Sequence, residues 1–140
     1  MKKILLALVV LVVAIQLVPY GRNHTNPPVV KEPAWDSPQT RALVVRACFD
    51  CHSNETQWPA YASVAPFSWL VQYDVDEGRE HLNFSEWHLP QDDFDEAPTQ
   101  ILRKAMPPSM YILMHSEADL GDAEFERLAR ALQQMAAANP

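Results

Sequence analysis

One pentapeptide constrains this 140-residue chain more than any other feature, because it holds both of its cysteines. Cys48-Phe49-Asp50-Cys51-His52 places two thiols three residues apart, with an imidazole directly after the second. On a helical turn both thiols project from one side, where they can add to the two vinyl groups of a haem. The imidazole then lies under the porphyrin and binds the iron through Nε2. This is the c-type attachment signature, and it predicts one haem c per chain, held by Cys48, Cys51 and His52.

Three other uses of two cysteines compete with haem attachment. A dithiol redox pair normally lies in a βαβ setting, and no stretch of this sequence alternates like a strand. A structural zinc site needs a fourth ligand and usually a second paired motif, and neither occurs at standard spacing. A plain disulfide suits an oxidising compartment but gives His52 no reason to follow. Haem attachment therefore ranks first, and the three alternatives stay open.

A haem iron in an electron carrier takes a second axial ligand, commonly Met or His. Met106 is the first choice because it precedes Pro107-Pro108, and two prolines end a helix and fix an extended loop that can present a thioether. A core methionine before a turn is the competing interpretation. His115 is the second choice of ligand. Packed or solvated roles are expected for the other candidates, which are Met110, Met114, His81 and His88.

The N-terminal segment predicts export. Lys2 and Lys3 precede an apolar run from Ile4 to Val18 that only Gln16 interrupts, as in a signal with a charged and a hydrophobic region. No pair of small residues suited to cleavage follows, so an uncleaved anchor helix reaching Tyr20 is favoured over a cleaved signal peptide. Residues 1–20 are thus predicted to be a signal anchor or signal peptide. The rest of the chain would lie on the periplasmic side of a bacterial inner membrane.

Beyond this segment the chain divides into a linker and one domain. Four prolines in residues 21–38 indicate an extended linker. Residues 39–140 show helical periodicity and no strand pattern, so they are predicted to form one all-α domain. The predicted helices run from a Thr40 cap to Ala47, from a Ser68 cap to about Leu82, from near Pro98 to Ala105, and from about Asp122 along an apolar stripe.

The charge of the chain excludes one class of partner. The formal net charge is −7, and residues 1–28 hold three basic residues and no acidic one, so the predicted domain is more acidic still. Nucleic-acid binding depends on cationic neutralisation of phosphates, and no nucleic-acid partner is expected. An acidic surface favours a redox partner protein with a basic docking surface.

Some single residues also carry expectations. Gly78 is expected to weaken its helix, and Arg79 to pair with a haem propionate or, more commonly, with a nearby carboxylate. Met110 and Met114 look like one packed helical turn. A dry aromatic wall, serving as core or as haem lining, is expected from Trp58, Tyr61, Phe67, Trp69 and Tyr111.

Several further motifs carry a resemblance to a known family. They are the run from Cys51 to Pro59, Ser68-Trp69, Gly78-Arg79-Glu80, and Met106-Pro107-Pro108 with Tyr111. Over about residues 40–135 the chain resembles the bacterial haem-binding domain family of small c-type cytochrome-like proteins. The resemblance implies covalent haem c through Cys48 and Cys51, His52 as the proximal ligand and a periplasmic location, and it implies no substrate.

The order of the motifs is also similar to that of class I cytochromes c: a helix, the haem signature, a Met-Pro loop and a closing helix. We therefore expect an all-α, class I cytochrome c-like domain around a covalent haem, preceded by an apolar anchor helix. The expected function is one-electron transfer by a monohaem cytochrome, not an enzyme, although weak peroxidase-like activity stays open. The alternative is a haem-based sensor or a haem protein that handles small molecules, with a labile sixth ligand.

Overall fold

The computed structural model describes residues 1–138, and within them the chain forms helices and no strand. The all-α prediction is confirmed. Three single 3₁₀ turns, Ala60–Ser63, Phe94–Glu96 and Ser116–Ala118, connect the helices, and one isolated bridge pairs Lys31 with Glu86. The α-helices are α1 (Lys2–Ile15), α2 (Pro38–Ala47), α3 (Phe49–His52), α4 (Phe67–His81), α5 (Ala97–Leu102), α6 (Ser109–Met114) and α7 (Asp122–Ala138).

The core forms where α7 packs across α5 and α2. The apolar stripe predicted for the last helix faces inward, and Leu128 and Leu132 are each only 1% exposed. Val44 of α2 and Ile101 of α5 meet this stripe in the same buried cluster. Burial of such side chains contributes roughly 1.5–3 kcal/mol each, so this three-helix contact is the main source of stability.

An aromatic cluster extends the core toward the pentapeptide. Phe84 is 1% exposed, and its ring lies 5.5 Å from Trp35, 5.9 Å from Phe49 and 6.0 Å from Trp87, centroid to centroid. Phe49 belongs to the pentapeptide itself. The haem signature therefore grows directly out of the packed core.

The ends of the predicted helices shift for local reasons. Ser37, not Thr40, caps α2, because its hydroxyl accepts the Thr40 N–H and Pro38 then takes the first turn. The helix predicted from a Ser68 cap begins earlier, at Phe67, and Ser68 lies buried inside it. The helix predicted to reach Ala105 ends at Leu102, since Lys104 adopts a left-handed φ of 54°.

The apolar N-terminal helix is shorter than expected. It ends at Ile15, and no helix within residues 1–138 is long and apolar enough to cross a membrane. The prediction that this helix reaches Tyr20 is wrong: the chain leaves the helix after Ile15, and the Gln16 side chain pairs with the backbone of Ala65. Its Nε2 donates to the Ala65 carbonyl at 2.9 Å, and its Oε1 accepts the Ala65 N–H at 3.0 Å.

Residues 21–38, predicted to be a linker, hold no helix before Pro38 and run along the helical domain. His24 stacks on Trp58 with ring centroids 4.9 Å apart. Asn26 donates to the Thr56 carbonyl at 2.9 Å, and Trp35 packs against the core cluster. We call residues 24–35 the N-terminal strap.

Candidate functional site

The pentapeptide forms a tight turn between α2 and α3. Cys48 ends α2 by donating its N–H to the Val44 carbonyl at 2.8 Å. The Cys48 carbonyl then accepts the N–H groups of Cys51 at 3.2 Å and of His52 at 2.9 Å. Both cysteines are free and partly exposed, so the turn offers two thiols and one imidazole on a rigid backbone.

Two backbone carbonyls fix the His52 ring. Its Nδ1 lies 2.8 Å from the Gly78 oxygen and 3.0 Å from the Leu82 oxygen, both at the end of α4. Carbonyl oxygens only accept hydrogen bonds, so Nδ1 carries the proton and Nε2 keeps its lone pair. Burial lowers the pKa of His52 below its ordinary value, which favours the neutral ring. This is the tautomer that ligates a metal through Nε2.

Gly78 brings α4 into direct contact with α3. A Cβ at this position would lie 2.4 Å from the Cys51 carbonyl oxygen, so only glycine allows this approach. The helix runs without a break through Gly78 to His81. The sequence predicted that Gly78 destabilises its helix. It did not predict the close contact with Cys51, because that residue lies 27 positions earlier and nothing near Gly78 indicates it.

The polar residues after His52 close the loop behind the turn. Ser53 is fully buried, and its hydroxyl donates to the Phe49 carbonyl at 2.7 Å. The Thr56 hydroxyl donates to the Asp50 carbonyl at 2.7 Å, and Asn54 accepts from Asn83 at 3.0 Å. These three side chains have partners, as burial of polar atoms requires, whereas Oε2 of Glu55 in the same run is buried without one in the described chain. The contacts of Ser53, Asn54 and Thr56 are structural.

Arg79 has a role that the sequence did not reveal. Its Nε donates to the Ser53 carbonyl at 2.8 Å, and its terminal nitrogens donate to the Thr25 carbonyl, Asn26 Oδ1 and Thr56 Oγ1 at 3.0–3.2 Å. The surface ion pair expected for Arg79 is absent from the ion pairs formed within residues 1–138. The guanidinium instead ties the strap to the loop behind His52.

The surroundings of the two thiols favour their neutral form. Burial raises the pKa of Cys48 and of Cys51 to about 12. Redox dithiols lower the pKa of the attacking thiol, so the structure does not favour a dithiol redox centre. Within the described part of the chain, no three His, Cys, Asp or Glu side chains cluster as a metal-ligand set, so a four-ligand zinc site does not form either.

Met106, the first choice of sixth ligand, lies in the loop between α5 and α6. Its side chain is 41% exposed, and its N–H donates to the Gln100 carbonyl at 3.4 Å. No hydrogen bond within residues 1–138 joins Met106 directly to the His52 turn. Met110 and Met114 lie on one helix, as expected, but they are 68% and 60% exposed, so the prediction that they pack is wrong.

The histidine candidates are engaged elsewhere. His115 Nε2 lies 2.8 Å from the Tyr61 hydroxyl, and its Nδ1 lies 3.4 Å from a Glu117 carboxylate oxygen. His81 pairs with Asp93 on the surface, and His88 is exposed. Ligation by His115 would require breaking its contact with Tyr61.

Three of the five expected aromatic residues gather near Cys51. Tyr61 contacts Phe67 edge to face at 6.2 Å between centroids. Burial raises the pKa of both Tyr61 and Tyr111, and the neighbouring Asp50 and Cys51 raise it further. Trp58 instead stacks on His24, and the Trp69 Nε1 is buried without a hydrogen-bond partner in the described chain.

The surroundings of the turn fit a large apolar group. Helix α4 packs on α3, and α6 reaches the turn through Tyr111, and both helices carry apolar side chains that are exposed by half or more of their area. A contiguous patch of such side chains marks a binding surface. Two surface cavities of about 370 and 420 Å³ lie elsewhere, and neither is lined by the pentapeptide. The exposed apolar residues are Phe67, Leu70, Met110, Leu113 and Met114.

A protein-family model described as "Haem-binding domain" matches residues 10–134. The match contains the Cys48–His52 turn, all of α4 and the Met106 loop. No curated protein and no solved structure gives a significant match to the chain.

Proposed function

This chain belongs to the haem-binding domain family, and from that premise we propose that it carries one haem c and passes single electrons in the periplasm. Cys48 and Cys51 would hold the porphyrin through thioethers, and His52 and Met106 would be the axial ligands. The observation that carries this proposal is the His52 ring. Two carbonyls hold its Nδ1 proton, and Nε2 is left as a ligand.

Neutral thiols next to a fixed imidazole suit covalent attachment. Each Cys S–H would add across one vinyl group, so that a C–S and a C–H bond form and nothing leaves. The high pKa of both thiols keeps them protonated at neutral pH. A thioether requires a reduced cysteine, and export to a compartment with maturation machinery would supply the setting.

The rigidity of the turn suits electron transfer. The haem supplies the iron that gains and loses the electron. His52 is held by two hydrogen bonds, and Gly78 locks its helix against Cys51. With a haem bound, these contacts would keep the imidazole in one orientation in both oxidation states and so keep reorganisation small. A thioether ligand and burial would raise the reduction potential.

A second function has one observation in its favour. Met106 is 41% exposed and lacks any direct bond to the His52 turn, so the sixth position is the least firmly built part of the site. A haem-based sensor, or a haem protein that handles small molecules, would use such a labile position. Spectra distinguish the two functions, because a carrier keeps six-coordinate low-spin iron and a sensor binds carbon monoxide readily.

The first experiment is expression in a host with c-type maturation machinery. We expect a mass increase of one haem that survives denaturation, and its loss in the Cys48→Ser, Cys51→Ser double variant. A wild-type chain without haem would overturn the proposed function.

The second experiment tests the sixth ligand. Met106→Ala should abolish the absorption band of Met-ligated ferric haem, because the thioether donor is removed. Leu102→Ala, at an exposed residue four positions before Met106, is the control and should leave the band unchanged. An unchanged spectrum in Met106→Ala would contradict ligation by Met106 and favour His115.

A further inference from the structure

Helix α6 has no buried residue that would hold it in place. This six-residue helix follows directly after the Met106-Pro107-Pro108 loop and ends at Met114. An amphipathic face packed into the core holds most short helices, and α6 has none. Its contacts with the pentapeptide in this structure are therefore polar and ring contacts.

One such contact joins α6 to the pentapeptide itself. The Tyr111 hydroxyl donates to Asp50 Oδ2 at 2.6 Å across 61 positions of sequence. That length is typical of a charge-assisted O–H···O⁻ bond, which is about twice as strong as a neutral one. Asp50 lies between Cys48 and Cys51, so the bond ends inside the attachment turn.

Asp50 is held in place for this contact. Its Oδ1 accepts the Gln57 N–H at 2.8 Å, and its backbone carbonyl accepts the Thr56 hydroxyl at 2.7 Å. The carboxylate is thus fixed from behind by the loop that follows the turn. Oδ2 is left to receive Tyr111.

The ring of Tyr111 also contacts His115, the residue that follows α6. The two rings stack with centroids 4.3 Å apart and planes 7° from parallel. The His115 Nε2 in turn lies 2.8 Å from the Tyr61 hydroxyl. The middle of α6 is therefore held through Tyr111, and its C-terminal end through His115, which stacks on Tyr111.

We propose that Tyr111, acting through Asp50, is a positioning residue that holds α6 and the attached Met106 loop over the pentapeptide. It thereby determines how firmly the sixth coordination position is closed. This inference rests on the proposed function, because closure matters only where a haem is bound.

The test is Tyr111→Phe in the haem-loaded full chain. The change removes one oxygen and keeps the ring that stacks on His115. We expect unchanged haem content, a weaker Met-ligation band, and roughly tenfold tighter binding of added imidazole to the ferric protein, since a bond to a charged group is strong enough for such a change. Amide hydrogen exchange across residues 112–115 should speed up by a similar factor, while exchange in α7 stays the same.

Tyr73→Phe is the matched control. Tyr73 is 55% exposed, and its hydroxyl makes no hydrogen bond within residues 1–138, so imidazole binding and exchange should equal wild type. Asp50→Ala should weaken closure at least as much as Tyr111→Phe, since it removes the acceptor of Tyr111 and also that of the Gln57 N–H. Adding Tyr111→Phe to Asp50→Ala should change little further, because the Tyr111–Asp50 bond is already broken.

The outcomes separate this inference from the proposed function. If wild type holds haem but Tyr111→Phe matches it in imidazole affinity and in exchange, the positioning role is wrong and haem binding stands. If wild type holds no haem, the proposed function fails. The exchange comparison on the purified full chain then still decides whether Tyr111 holds α6.

Discussion

Gly78 joins two requirements of the site in one residue. Its missing side chain lets α4 lie against the Cys51 carbonyl, and its own carbonyl accepts the His52 Nδ1 proton at 2.8 Å. A methyl group here meets backbone atoms, which cannot move aside as a flexible side chain would. The spacing of α3 and α4 therefore sets the orientation of the proposed proximal ligand.

Gly78→Ala should separate α4 from α3 and disturb both bonds to His52. Overpacking of this kind costs about 1–3 kcal/mol, and we expect that loss in the free energy of unfolding together with less covalent haem per chain. Urea denaturation and haem staining measure the two effects. Gly121→Ala is the control, because a Cβ there meets nothing within 4 Å. It should lower the free energy of unfolding by at most about 1 kcal/mol. Full haem loading in Gly78→Ala would contradict the argument.

The residues of the pentapeptide could be proposed from sequence because their chemistry depends on local spacing. The partners of those residues could not. Gly78, Arg79 and Tyr111 act on the turn from 26 to 61 positions away, and nothing in their own neighbourhood indicates it. For Arg79 the nearby acids suggested a surface ion pair, whereas backbone and side-chain oxygens of the strap and of the loop after His52 accept its hydrogen bonds.

Among the helices, the C-terminal one was the easiest to predict. Its apolar stripe repeats over more than two turns, and the structure places helix α7 at Asp122, where it was expected. The exposed methionines of α6 gave a false indication of packing, because an apolar side chain signals burial only when something covers it. The N-terminal strap had no signal beyond its prolines.

Glu32 fastens the strap to α2. Its carboxylate accepts two hydrogen bonds from Arg41 and one from the Trp35 indole, all at 2.7 Å. The bonds from Arg41 are the largest cause that lowers the pKa of Glu32 below its ordinary value of 4.5. The stabilisation is therefore complete above about pH 4.5 and is lost as the pH falls through the lower folded-state pKa.

Glu32→Gln should cost about 1 kcal/mol of unfolding free energy at pH 7, because the side chains are partly exposed and screened. The difference from wild type should shrink progressively below pH 4.5, where wild type also becomes neutral. Denaturation at several pH values measures it. Glu126→Gln, in an exposed pair with Arg130, is the control and should change stability by less than about 0.5 kcal/mol at every pH. If the loss of unfolding free energy in Glu32→Gln did not change with pH, the loss of the Arg41 bonds would not be its cause.

The molecule as a whole carries a formal charge of −7. A haem-loaded chain should therefore attract small cationic electron acceptors and repel anionic ones, and salt weakens both effects. Stopped-flow rates with the cationic reagent should fall as ionic strength rises from about 0.01 M to about 0.5 M. Rates with an anionic reagent should rise over the same range. A rate with the cationic reagent that does not change with ionic strength would contradict steering by charge toward a basic partner.

The N-terminal strap has a practical consequence for anyone shortening this chain. A product cut at residue 38 would lose the indole of Trp35 from beside Phe84, and Arg79 would lose two of its acceptors, in Thr25 and Asn26. The loop after His52 would then lose its contacts with the strap and keep only those with the helical domain. The smallest fragment worth purifying starts ahead of His24, even though helices α2 to α7 alone suggest a boundary near Pro38.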